Sequence, residues 1–132
     1  MNDYVSIFKA MADETRLRIL NLLLTAEKKI CVCEMVDALQ LPQYRISKHL
    51  TILKNVRLVQ VTREGTWVYY GLNREDPSLL KDLFGLLKDD LNDDYSEDVH
   101  NLQLRLSLRE KGKCMVGFNA PEQWQALLRK TG

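Results

Sequence analysis

LPQYRISKHLTILKNVRLVQVTREGTWVYYGL, residues 41–72, changes its hydrophobic period partway along. From Gln43 to Val56 the apolar positions Ile46, Leu50 and Leu53 recur at i, i+4 and i+7, the repeat of a helix with one buried face. Leu41-Pro42 closes off any helix arriving from upstream, because proline disfavours helical geometry at the residue before it. Past Val56 the period falls to two. Leu58–Thr62 and Trp67–Leu72 are rich in valine and aromatics, with Arg63-Glu64-Gly65-Thr66 between them. Glu64-Gly65 suits a tight hairpin, since glycine supplies the positive φ that such a turn needs.

Upstream of this stretch the spacing predicts three helices. Val5, Phe8, Met11 and Ala12 mark the first, ending near Asp13. Asp13 then reads as the N-cap of a second, Glu14 to Ala26, striped by Leu17, Leu20, Leu23 and Leu24. A third runs from about Cys33 to Leu39 with Met35, Val36 and Leu39. Downstream, Asp76-Pro77 reads as N-cap and N1 of a helix lined by Leu79, Leu80, Leu83, Leu87 and Leu91. The acidic stretch Asp89–Asp98 is a loop or a solvated helix face, and Val99–Lys111 is helical until Gly112 stops it. The expected fold is mainly α with a β-hairpin wing, a winged helix-turn-helix of order α-α-α-α-β-β-α. Residues 1–111 form the DNA-binding and dimerisation domain in this reading, and residues 112–132 a tail with a short helix. Trp124, Leu127 and Leu128 share a helical face, which fits docking; a weakly ordered terminus is the alternative.

The 132 residues suffice for one domain with a real core, and 45% hydrophobic with 28% charged residues is ordinary globular composition. No apolar run is long enough for a membrane span, and the first residues lack a secretory signal, so the expected location is the cytoplasm. The three cysteines are then reduced thiols, free to act as ligands. Net charge is +1, but it is unevenly spread. Residues 43–66 carry five bases against Glu64, whereas residues 75–98 carry nine acids against Lys81 and Lys88. A basic middle beside an acidic segment fits phosphate contact in one region only, or else a solvated surface with chance clustering.

In a winged helix-turn-helix, the helix after the tight turn enters the major groove with its first residues against base edges. Those residues are Gln43, Tyr44, Arg45, Ser47, Lys48 and His49. Gln and Arg can pair bidentately with adenine and guanine, and the others suit phosphates. Ile46, Leu50 and Leu53 occupy the core face, which leaves the polar residues outside, and Arg63 joins them at the wing tip. An exposed amphipathic helix without a partner is the plainer alternative.

ADETRLRIL, CVCEMVDAL, RISKHLTILK and REGTWVYYGL, in that order, resemble the successive blocks of the ArsR/SmtB metalloregulators over about residues 4–91. The resemblance implies a homodimeric repressor of an inverted-repeat operator that dissociates on binding metal. It also implies a dimer interface built from the first and last helices, here about Tyr4–Met11 and Ser78 onward. The family often has glycine where Arg57 sits; a positive φ there would cost a non-glycine residue about 1–2 kcal/mol, so the turn is expected to differ.

Cys31 and Cys33 fall at the start of the third helix. Residues i and i+2 diverge on a regular helix but share a face in an extended segment, so two thiolates meet on one ion only if the helix start is uncoiled. Binding would then distort the third helix and the recognition helix it supports. Lys28, Lys29 and the helix N-terminus favour the thiolate forms, and soft ions select sulfur ligands. Two small buried apolar residues are the alternative reading. The pair resembles the ELCVCD segment of arsenic-, cadmium- and lead-responsive repressors. Val36 replaces the third cysteine of some arsenic sensors, and the N-terminal cysteines of the cadmium and lead type are absent. The resemblance therefore points to arsenite or antimonite as inducer, with no organic cofactor. Cys114 is a third ligand, reached if the tail folds back from either subunit, or an incidental thiol. The family's zinc site on the last helix lacks its residues, since His100 is the only histidine there and reads as a surface residue.

Two other functions compete. A thiol-redox regulator would need a strained disulfide between Cys31 and Cys33. An enzyme would need a phosphate loop, nucleophile elbow or acid pair, none of which the sequence offers.

Overall fold

The computed structural model describes residues 4–73, 78–114, 117, 124 and 126. Its elements are α1 Tyr4–Met11, α2 Glu14–Ala26, β1 Ile30–Cys31, α3 Val32–Leu39, α4 Gln43–Asn55, β2 Val59–Glu64, β3 Trp67–Leu72, α5 Ser78–Asp94 and α6 Ser96–Leu106. The mainly α winged helix-turn-helix is therefore present, with one strand the hydrophobic pattern did not reveal. β1 is two residues long, too short for any period to register, and it pairs with β3 to give an antiparallel sheet of order β1-β3-β2.

The core gathers around α2, which is buried on most of its circumference: Ile19, Leu20, Leu22, Leu23 and Leu24 are all enclosed. Asp13 caps it by accepting from the Arg16 N–H at 3.0 Å, as an N-cap aspartate should. α4 contributes Ile46, Leu50 and Leu53 to this core as their spacing required. α1 differs from its expected stripe. Ile7, Ala10 and Met11 face inward, whereas Tyr4, Val5 and Phe8 are 49%, 63% and 51% exposed. The helix is apolar on two sides, and a sequence pattern cannot say which side the protomer's own core takes.

The α4–β2 junction keeps the left-handed residue at Arg57, with φ +62, so the expected departure at this turn does not occur. The Arg57 N–H donates to the Lys54 carbonyl and the Leu58 N–H to the Leu53 carbonyl, both at 3.0 Å, the paired bonds of a Schellman ending. Asn73 Nδ2 holds the Arg57 carbonyl at 3.0 Å. These bonds offset the strain of a side chain at positive φ. At the wing tip Gly65, φ +63, opens the two-residue turn between Glu64 and Trp67.

α6 begins earlier and ends earlier than its apolar pattern suggested. The acidic stretch lies in the exposed end of α5 and the start of α6, except for buried Asp98. That carboxylate takes two 2.8 Å bonds from Arg18, which also reaches the Leu39 carbonyl and so ties α2, α3 and α6 together. After Leu106 the chain reverses through Lys111 and Gly112, both at positive φ, with Glu110 bridged to Lys113. This reversal, rather than helix up to Lys111, sends the chain back toward β3. Asp76-Pro77, and Phe118, Pro121, Leu127 and Leu128 of the tail, lie outside the described residues. No helix among the described residues is long and apolar enough to cross a membrane.

Candidate metal centre and nucleic-acid interface

Cys31 sits at the end of β1 and is also the residue that precedes α3, with extended backbone at φ −76 and ψ 154. Because the helix starts only at Val32, Cys31 and Cys33 bring their sulfurs to one side without any uncoiling. The extended backbone at Cys31 is the uncoiled start that convergence requires, already in place before any ion binds. Glu34 secures the junction by accepting from the Cys31 N–H at 3.0 Å. The reversal at Lys111-Gly112 then delivers Cys114 of the same chain to this spot. The three Sγ atoms lie within 4.8 Å of one another, and all three residues are buried. Cys33 and Cys114 are the close pair, 3.5 Å between sulfurs.

The surroundings hold this cluster in place. Tyr69 of β3 is buried in one cluster with the three cysteines, and its hydroxyl accepts from the Cys114 N–H at 3.0 Å. Arg109 grips buried Glu34 with two bonds of 2.6 and 2.7 Å, and its guanidinium lies over the Tyr69 ring, 5.6 Å from the centroid. Arg105, wholly buried, bonds Asp37 and the Gly117 carbonyl. Sequence reasoning missed both arginines. Their i, i+4 spacing reads as a solvated basic face, and only Leu102 and Asp98 on the same stripe hint that this face turns inward.

The thiols share their protons unequally. Hydrogen bonds from Cys31 and Cys33, with help from the Gly117 N–H and the Arg105 charge, hold the Cys114 thiol well below its ordinary range. Donating to Cys114 pushes Cys33 up, and the same bond with burial pushes Cys31 up further. This hydrogen-bond pattern favours a thiolate at Cys114 before the other two. Arg105 supplies positive charge at this point, whereas the Lys29 ammonium, expected to do so, reaches away to Glu64 at 3.4 Å.

A soft ion fits the donor set. Sulfur ligands at about 2.3 Å in tetrahedral geometry sit roughly 3.8 Å apart, so the present spacing needs only a small contraction. Three sulfurs, with no carboxylate joining the group among the described residues, would reject hard ions such as magnesium or calcium.

α4 exposes Gln43, Tyr44, Arg45 and Lys48, with Ser47 half-buried, and Arg63 is exposed near the wing tip. Tyr44 is 78% exposed, a large aromatic with no cover in the protomer. His49, expected among these residues, turns away. Its Nδ1 accepts from Arg16 at 3.0 Å with Asp13 nearby at 3.8 Å, so the ring braces α4 against α2. Burial lowers its pKa despite Asp13, in keeping with a neutral, accepting ring. At i+3 from Ile46 it stands at the edge of the core stripe, where spacing alone cannot choose a side. His100 is exposed.

Comparison with known proteins agrees with this anatomy. Residues 13–61, from the α2 cap into β2, match the family model described as bacterial regulatory protein, arsR family. The chain is 45% identical over 71 residues to the arsenic resistance transcriptional regulator ArsR1 of Pseudomonas putida, spanning 54% of this chain and about half of that protein, 55%. It is 36% identical over 91 residues to the arsenical resistance operon repressor of Bacillus subtilis, covering 69% of this chain and 80% of that one. Among solved structures, reduced HlyU from Vibrio cholerae superposes with a TM-score of 0.57 at 35% identity, over 65% of this chain and 85% of that one. A winged helix-turn-helix with an exposed polar helix after its turn, matched in sequence and in fold by regulators, has one reading: the chain belongs to the arsR family of bacterial regulatory proteins.

Proposed function

We propose that this protein is a homodimeric repressor that leaves its operator when arsenite or antimonite binds Cys31, Cys33 and Cys114. The observation that carries this reading is the cluster of three buried sulfurs within 4.8 Å, brought together from the β1–α3 junction and the turn after α6. Drawing them together moves β1, the start of α3 and the tail relative to β3. α3 packs on α4, and β3 is half of the wing, so both DNA-contacting elements feel the change. Gln43, Tyr44, Arg45, Ser47 and Lys48 read the major groove, and Arg63 meets the flanking phosphates. His49 positions α4. The exposed Tyr4, Val5 and Phe8 of α1, with Leu86 of α5 at 76% exposure, support a dimer that covers both helices. The setting is cytoplasmic, where thiols stay reduced.

The test is fluorescence anisotropy of a labelled inverted-repeat operator titrated with arsenite. The wild type binds and then releases. Cys31→Ser and Cys33→Ser bind equally well but do not release at the wild-type arsenite concentration, since a hydroxyl is a poor ligand for a soft ion. In the same assay Arg45→Ala and Lys48→Ala weaken binding, by about 1–3 kcal/mol for Arg45 if it reads a guanine. Unimpaired release by either cysteine variant refutes the switch.

A second reading rests on the 3.5 Å contact between Cys33 and Cys114. A disulfide between these two needs little movement, unlike one between Cys31 and Cys33. A redox regulator would release DNA with peroxide in the absence of any metal and recover with dithiothreitol.

A further inference from the structure

The three thiols are buried, with Cys114 at 0% exposure, so an ion must reach them from a surface basin. One lies alongside: an open cleft of about 620 Å³ whose lining includes Tyr69, Arg109 and the 111–113 turn. Its volume is in the range of small-molecule sites. Tyr69 belongs to both: it lines the cleft and is buried in one cluster with Cys31, Cys33 and Cys114. The rim is cationic. Arg109 answers Glu34 and Lys29 answers Glu64, but Lys28, Lys111 and Lys113 have no ion-pair partner among the described residues. Three uncompensated ammonium groups around one concave surface repel a bare divalent cation and do nothing for arsenous acid, which is neutral near pH 7. They attract an anion.

We propose that this cleft receives the ion as a complex with an anionic low-molecular-mass thiol, from which the cysteines take it by exchange. The proposal rests on the thiol cluster being the sensor. Each exchange forms one bond from a cysteine sulfur to the ion and breaks one bond from the ion to a carrier sulfur. The cysteine's proton leaves on the released carrier thiol; where the attacking sulfur is already a thiolate, the carrier leaves as thiolate. Three exchanges convert a tris-thiolate complex into the protein-bound ion and three carrier molecules, with no change of oxidation state. The lysines hold the carrier's carboxylates while the ion passes the Tyr69 wall at the 111–114 turn.

The experiment is stopped-flow tryptophan fluorescence on the full chain, since Trp67 packs against the thiol cluster. Arsenite is supplied bound to glutathione, bound to neutral 2-mercaptoethanol, or free. The variant is Lys28→Gln/Lys111→Gln/Lys113→Gln, all exposed positions. The wild type should take arsenite from glutathione about tenfold faster than the variant, within the range of electrostatic steering. With 2-mercaptoethanol or free arsenite the two proteins should match. The glutathione advantage should also shrink from 0.01 to 0.1 M salt, as the screening length falls from about 30 to about 10 Å. Equal rates of wild type and variant with glutathione overturn the proposal. A shallower salt dependence of operator binding in that same variant would then assign the lysines to DNA phosphates. No uptake from any source defeats the sensor reading itself, which is a distinct outcome.

Discussion

Cys114 is the sulfur toward which the other two thiols donate, so a thiolate forms there first. One thiolate and two thiols meeting arsenous acid release three waters and take up one proton. A divalent soft ion bound by the same three sulfurs instead displaces two protons. The sign of the pH dependence therefore separates the two ion classes. Between the lowered range of Cys114 and the raised range of Cys33, arsenite affinity should fall about tenfold per pH unit, while cadmium affinity should rise by up to about a hundredfold. Calorimetry in buffers of different ionisation enthalpy counts these protons. Zero uptake with arsenite would mean that the cluster starts fully protonated and that Arg105 does not sustain a thiolate.

α4 and its ends show how far local patterning carries. Its core face was readable from Ile46, Leu50 and Leu53, and so was the exposure of Arg45 and Lys48. His49 was not, because an imidazole at the edge of the stripe goes wherever a partner waits, and Arg16 and Asp13 come from another helix. The residue after the C-cap makes a sharper case. Arg57 keeps φ +62 without being glycine. Arg57→Gly removes a cost of about 1–2 kcal/mol in the folded state and adds roughly 0.5–1 kcal/mol of chain entropy in the unfolded one. The net expectation is a gain of up to about 1.5 kcal/mol, read as a higher midpoint in urea with an unchanged slope. A loss of stability would show that the Arg57 side chain makes contacts worth more than the strain.

Across the whole molecule, what the sequence concealed is what depends on chain reversal. The C-x-C pair was visible from residue types and spacing, but Cys114 lies some eighty residues away and reaches the pair through a turn at Lys111-Gly112 that looked like the end of a helix. Within the protomer, Cys114 returns to Tyr69 at the root of its own wing. Arg105, Arg109 and Tyr69 were hidden for the same reason, since each acquires its role only when α6 and β3 flank the thiols. The proposed switch requires these three sulfurs to form one centre. Arsenic X-ray absorption on the full chain, loaded with one equivalent of arsenite per protomer, counts them directly. Three sulfurs per arsenic in the wild type, falling to two sulfurs and one lighter atom in Cys114→Ser, is the predicted result. Two sulfurs in both proteins would contradict it.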